Sequence, residues 1–176
     1  MRNPKDIKIG EFTLEEILER HKHWWYEDCD GWREMRANLS GADLYGANLY
    51  GADLSGADLS GAENVPFIPM ACPDTGSFIA FKKASDHIVV LEIPADARRL
   101  SATGRKCRCD KANVLRIEEM DGTASGRIVV ASDRDSSFVY KVGEMVSVPD
   151  FCEDRWQECS AGIHFFINRQ EAVNYV

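Results

Sequence analysis

The chain has 176 residues, a net charge of −8 and a sequence pI near 5.0, a balance that excludes a general binder of nucleic acid or of anionic membrane surfaces. At 44% apolar residues it can build a modest core, enough for one ordinary domain and a small appendage. Its longest apolar runs, such as HIVVLEI, fall far short of a membrane span and no charged leader precedes an apolar run, so a cytosolic protein is expected, with reduced thiols at Cys29, Cys72, Cys107, Cys109, Cys152 and Cys159.

Residues 12–26, FTLEEILERHKHWWY, read as one amphipathic helix. Thr13 and Glu16 make a capping box, and Leu14, Ile17, Leu18, His21 and Trp25 line one stripe at helical spacing. The polar turn EDCDGW ends it. Its spaced aspartates, like those of ASDRDSS, do not match a calcium loop of twelve residues.

The stretch GADLYGANLYGADLSGADLS, residues 41–60, then repeats one five-letter word: Ala, Asp or Asn, Leu, Tyr or Ser, Gly. Neither regular element accepts a leucine at every fifth position. A helix would scatter the leucines by about 140° each, and a strand would send successive ones to opposite faces. The period suits a chain that turns one corner per word, with Gly at the corner and Ala and Leu pointing inward. Four words then close a square coil, residues twenty apart stack, and Leu39 lies beside Leu59. The inward leucines are Leu39, Leu44, Leu49, Leu54 and Leu59, and the pattern ends at GAENVP with Pro66. So short a coil needs caps at its ends. Tyr45 and Tyr50 point outward from it and, with Trp24 and Trp25, form a candidate interface for a homo-oligomer through open strand edges.

From Phe67 onward, SFIAFKK, HIVVLEI, ANVLRIE, GRIVVAS and SFVYKV read as short strands and INRQEAVNYV as a short helix. The expected architecture is α+β: an N-terminal helical cap (1–31), a short square β-solenoid (32–66) and a compact, sheet-rich α+β domain (67–176).

Within that last part, residues 98–116 hold seven basic residues and one acid, a window of +6 inside a chain of −8. Arg98, Arg99, Arg105, Lys106 and Arg108, with Ser101, Thr103 and the amides around Gly104, form a candidate site for a phosphorylated or nucleotide-like ligand. His164, on an apolar strand, is a candidate pocket residue beside them. The competing reading is a solvated loop paired with acidic groups. Cys107-x-Cys109 lacks the spacing of a zinc knuckle, and no metal or cofactor is expected.

Residues 37–62 resemble the pentapeptide-repeat family, whose members form right-handed square β-solenoids. Some long members resemble a DNA duplex. One coil rises only roughly 4.8 Å, against about 34 Å for a turn of DNA, so no duplex-mimic role and no duplex partner are implied. Taken whole, the segments EEILERHKHWW, RKCRCDKANVL and AGIHFFINRQEAVNY resemble proteins of bacteriophages and prophages, which implies an accessory protein in the cytoplasm of an infected bacterium. GIHFFINRQEAVNY also resembles a strand and helix of ADP-ribosyltransferase folds, with His164 where those have Tyr. The expected function is therefore a non-enzymatic phage accessory protein that binds an anionic small molecule and sequesters a host defence signal. The alternatives are an interaction module that inhibits a host protein and an ADP-ribosyltransferase-like enzyme. No membrane partner is expected.

Overall fold

A computed structural model describes residues 2–49 and 52–175, so Tyr50 of the candidate interface lies outside the described residues. The chain divides into two compact units, Met1–Pro69 with Trp156–Glu158, and Met70–Arg155 with Cys159–Val176. No helix among the described residues is long and apolar enough to cross a membrane.

The first unit does not open on a helix. A 3-10 turn (Pro4–Asp6) and a hairpin of two-residue strands, β1 (Lys8–Ile9) and β2 (Phe12–Thr13), precede α1 (Leu14–Tyr26). The Thr13 hydroxyl accepts from the Glu16 N–H and the Glu16 carboxylate accepts from the Thr13 N–H, which satisfies two donors that a helix start leaves bare. Leu14, Ile17 and His21 form the buried face of α1, while Trp25 is exposed.

The repeats explain their own spelling. In each word the Leu carbonyl accepts from the Ala N–H three residues on, at 2.8 Å for Leu54 and Ala57 and 2.9 Å for Leu44 and Ala47. The intervening Gly41, Gly46, Gly56 and Gly61 have positive φ, which places each at the third position of a type II turn. The Asp or Asn carboxylate or amide oxygen accepts the N–H two residues on, as Asp53 does from Ser55 at 2.9 Å and Asp58 from Ser60 at 2.9 Å. Ala37, Leu39, Ala42, Leu44, Ala47, Leu54, Ala57 and Leu59 are buried together with Ile7, Leu14 and Ile17.

The expected β-solenoid is nevertheless not formed. Among the described residues no strand is assigned between Thr13 and Phe78. Among the described residues the repeats return beside themselves at two isolated parallel bridges, Asn38 with Asp58 and Asp43 with Glu63. A solenoid needs lap upon lap to grow continuous ladders, and the words run out after little more than one. The repeat section is a lap of linked turns.

The second unit is built from small antiparallel sheets rather than an α+β layer, its helix α2 (Arg169–Asn174) being only six residues long. A four-stranded sheet has the order β10 (Met145–Ser147), β7 (Lys111–Glu118), β4 (His87–Ile93), β3 (Phe78–Ala84). A three-stranded sheet has the order β11 (Ile163–Phe165), β6 (Cys107–Cys109), β5 (Arg99–Ser101), and β8 (Val129–Ala131) pairs with β9 (Val139–Lys141). Phe81 and Phe166 exchange two backbone hydrogen bonds of 2.8 Å, which ties the end of β11 to β3. Val89, Leu91, Ile93, Val114, Cys107, Cys109, Ile163 and Phe165 centre the core.

Two predictions concern the first unit. At Gly56 (φ +81°) an added Cβ would lie 2.8 Å from the Trp24 ring, whereas at Gly61 (φ +67°) its nearest contact is at 4.0 Å. Gly61→Ala should cost about 1–2 kcal/mol from backbone strain alone, and Gly56→Ala should cost clearly more in urea unfolding; equal costs would contradict the packing. The second concerns His21, whose burial, opposed by its hydrogen bond to Ser55, pulls its pKa below the ordinary value. The unfolded chain takes up a proton near pH 6.5 that the fold refuses. Stability should be intact above that pH and fall as pH drops below it toward the folded pKa. Unfolding free energies at pH 7.5 and 5.5 should show this loss, and a His21→Asn variant should show less of it.

Candidate functional site

The basic window does not assemble as one site, because strand pairing sends its members in different directions. Arg98 forms ion pairs with Asp110 at 2.9 Å and Glu153 at 2.7 Å. Arg99 is buried and donates to the carbonyls of Ala97, Gly76, Pro94 and Ala95 at 2.6–3.1 Å. Arg108 is buried between Cys107 and Cys109, donates to the carbonyls of Cys152 and Asp154, and lies over the Phe151 ring. Arg105 pairs with Glu171 at 2.8 Å, Lys111 with Asp96 at 2.6 Å and Arg116 with Glu118 at 2.9 Å. The buried Ser101 hydroxyl accepts from the Ala71 N–H at 2.8 Å, and the Thr103 hydroxyl is buried.

Lys106 and His164 go elsewhere. They line a cleft of about 560 Å³ within the second unit. Lys82 on β3 and Arg134 in the loop between β8 and β9 converge on the same cleft. So do the rings of Phe138, Tyr140 and Tyr175, and the hydroxyls of Ser132, Ser147 and Ser160. The backbone of residues 159–162 forms part of one wall, and Asp135 and Asp150 are its only carboxylates among the described residues.

The electrostatics of the cleft differ from those of the basic window. Lys82, Lys106 and Arg134 form no ion pair with any described carboxylate, while Arg98, Arg105, Lys111 and Arg116 all do. The Lys82 ammonium donates to the Lys83 carbonyl at 3.3 Å. Burial pulls its pKa below the ordinary lysine range; Asp133 opposes this, and the charges of Arg134 and Lys106 add to it. The Lys106 ammonium sits 5.6 Å from the Tyr175 ring centre and 3.7 Å from Cys159 Sγ. Burial also pushes the Tyr140 phenol up, so it remains a neutral hydrogen-bonding group. The arrangement offers positive charge, hydroxyl donors and aromatic faces to one small ligand.

Lys82, Arg134, Phe138, Tyr140 and Tyr175 were not among the residues singled out by sequence. A signal for Lys82 exists: in FIAFKKA it shares the parity of Ala80 and Ala84, which are buried. Arg134 carries no such mark in its turn.

The candidate interface residues separate. Tyr45 and Trp25 are exposed, but Trp24 stacks on His21 with ring centres 5.1 Å apart. All six cysteines are free thiols. Burial pushes the Cys109 thiol up to about 12, and its hydrogen bond with Cys72, then burial, pushes Cys107 up as well, so both stay protonated in the core at neutral pH.

Residues 68–172 match the family of unknown function DUF5758, and residues 35–63 match the pentapeptide-repeat family, whose model describes eight copies. No curated protein and no solved structure matches the chain. The first match covers more than half of the chain, which therefore belongs to the DUF5758 family and carries pentapeptide repeats ahead of that domain.

The division of the basic window is testable by stability. Arg99→Ala strips donors from several carbonyls at once and should cost about 3 kcal/mol. Arg105→Ala removes only a solvent-exposed pair and should leave the thermal midpoint almost unchanged. Equal losses in the two variants would overturn this assignment.

Proposed function

We propose that this member of the DUF5758 family binds a small anionic, phosphorylated or nucleotide-like ligand in the cleft of its second unit, without transforming it. One observation carries the reading: Lys82, Lys106 and Arg134 converge on a cleft with no counter-carboxylate bonded to any of them. Three like charges held together cost free energy that a bound phosphate would recover. The rings of Phe138 and Tyr175 offer stacking surface for a base, and Lys82, desolvated, gains most from an anion.

The ligand site thus keeps Lys106 and His164 and exchanges the remaining arginines for Lys82 and Arg134. The biological setting we propose is a phage-encoded accessory protein that withholds a nucleotide-type signal from its host. The motive is the resemblance of the whole chain to such proteins, joined to a cleft suited to holding an anion.

Calorimetry against cyclic nucleotides and ADP-ribose derivatives should find a ligand with affinity that falls as salt rises. Lys106→Glu should weaken it at least tenfold and Arg105→Glu should not, and the ligand should be recovered chemically unchanged. Absence of heat from every compound, or equal loss in the two variants, would reject the proposal.

A further inference from the structure

At the opposite end of the chemistry, the first unit gathers three metal-ligating groups that the cleft does not use. Helix α1 ends at Tyr26, and Glu27 adopts the left-handed conformation (φ 52°, ψ 34°) with its N–H donating to the His23 carbonyl at 2.9 Å. That cap reverses the chain, so Asp28 and Cys29 fold back against His23 in the last helical turn. The Nδ1 of His23, a carboxylate oxygen of Asp28 and Sγ of Cys29 all lie within 4.8 Å of one another. His23 Nδ1 and Asp28 Oδ1 are 2.7 Å apart, and the Cys29 thiol lies 3.8 Å from the Met35 sulfur.

We propose that His23, Asp28 and Cys29 bind one divalent transition-metal ion of the zinc class at the C-terminal end of α1. One imidazole nitrogen, one carboxylate and one thiolate form a mixed borderline set that suits zinc and disfavours calcium or magnesium, which take oxygen alone. Zinc–ligand bonds of about 2.0–2.3 Å at tetrahedral angles place ligand atoms roughly 3.3–3.7 Å apart. Side-chain rotation brings the observed spacing to that, opening the 2.7 Å contact of His23 with Asp28 and closing the wider ones, which lie within 4.8 Å. His23 and Asp28 are 41% and 49% exposed at their side chains, which leaves an open path for the ion and a fourth position for water.

The charge balance is favourable. The carbonyls at a helix C-terminus present negative potential, and Glu27, Asp28 and Asp30 add three carboxylates within four residues. On binding, the Cys29 thiol gives its proton to solvent and its sulfur bonds the ion. As Nδ1 of the neutral imidazole takes the ion, its single ring proton is carried to Nε2 through solvent, and the Asp28 carboxylate turns from that N–H to the ion. The ion would then fasten the turn to the helix end.

Cobalt(II), which takes the same coordination as zinc and is coloured, provides the probe. Titrated into the full chain under reducing conditions, one equivalent should produce the near-ultraviolet sulfur-to-cobalt charge-transfer band and the visible bands of a tetrahedral site, and zinc should bleach them. Cys29→Ser should abolish the charge-transfer band, Asp28→Asn should weaken cobalt binding at least tenfold, and Cys159→Ser should change neither. Asp28 is exposed, so its variant remains informative should the Cys29 variant fold poorly. No band in the wild type, or a band lost in Cys159→Ser and kept in Cys29→Ser, would overturn the site.

Discussion

Burying an arginine is expensive unless its guanidinium finds acceptors, and the second unit does this twice, at Arg99 and Arg108. Arg99 forms no ion pair with a described carboxylate, whereas Arg98 forms two. Arg99 spends its donors on the carbonyls of residues 76, 94, 95 and 97, and Arg108 gives Nη2 to those of residues 152 and 154. Loop carbonyls that no strand pairs are thereby satisfied from a single rigid fork, a task for which lysine has the wrong geometry. Gly162 takes part by what it lacks, since a Cβ there would stand 3.1 Å from Arg108 and 3.3 Å from Phe151. Arg108 thereby holds residues 152 and 154, which lie in sequence between the cleft-lining Asp150 and Cys159, so this residue of the window serves the cleft indirectly.

That division explains why the positive charge at the cleft comes from three distant parts of the chain. Lys82 belongs to β3, Lys106 to the approach to β6, and Arg134 to a turn. A charge that already has a carboxylate partner at 2.6–2.9 Å, as Lys111 or Arg105 has, holds little attraction in reserve for a ligand. The cations without such a partner keep theirs. Charge density along the sequence is therefore a poor guide to a binding site; the unpaired remainder after folding is the better one.

The same distinction marks what was legible in the residues. The strands HIVVLEI and SFIAFKK stand where alternation and β-branched runs place them, as β4 and β3. The five-residue word correctly implies inward Ala and Leu and a twenty-residue return, because turn chemistry is local: a Gly with positive φ and an Asx oxygen two residues back suffice. The expected solenoid was not legible as absent, since whether a lap becomes a ladder depends on how many laps follow. Of the candidate cleft, two residues stood out in the sequence. Lys106 and His164 line the cleft, and strand parity marks Lys82 as inward, but that it meets Arg134 and Tyr175 there depends on long-range pairing that no local pattern reports.

A single lap poses one further physical problem, and α1 answers it. In a longer stack, the outward N–H and carbonyl groups of one lap would bond to the next. Here the Ala37 N–H donates to His21 Nδ1 at 3.1 Å, and the Ser55 carbonyl accepts from His21 Nε2 at 3.2 Å. The two bonds fix the tautomer, because an amide can only donate and a carbonyl can only accept. Arg36 takes the next carbonyl, that of Gly56, at 2.6 Å. One neutral imidazole, read along the helix as merely another member of an apolar stripe, thus stands in for the backbone of a missing lap. A leucine there would bury as well and would leave both groups bare, which is why the stripe carries a histidine at that turn.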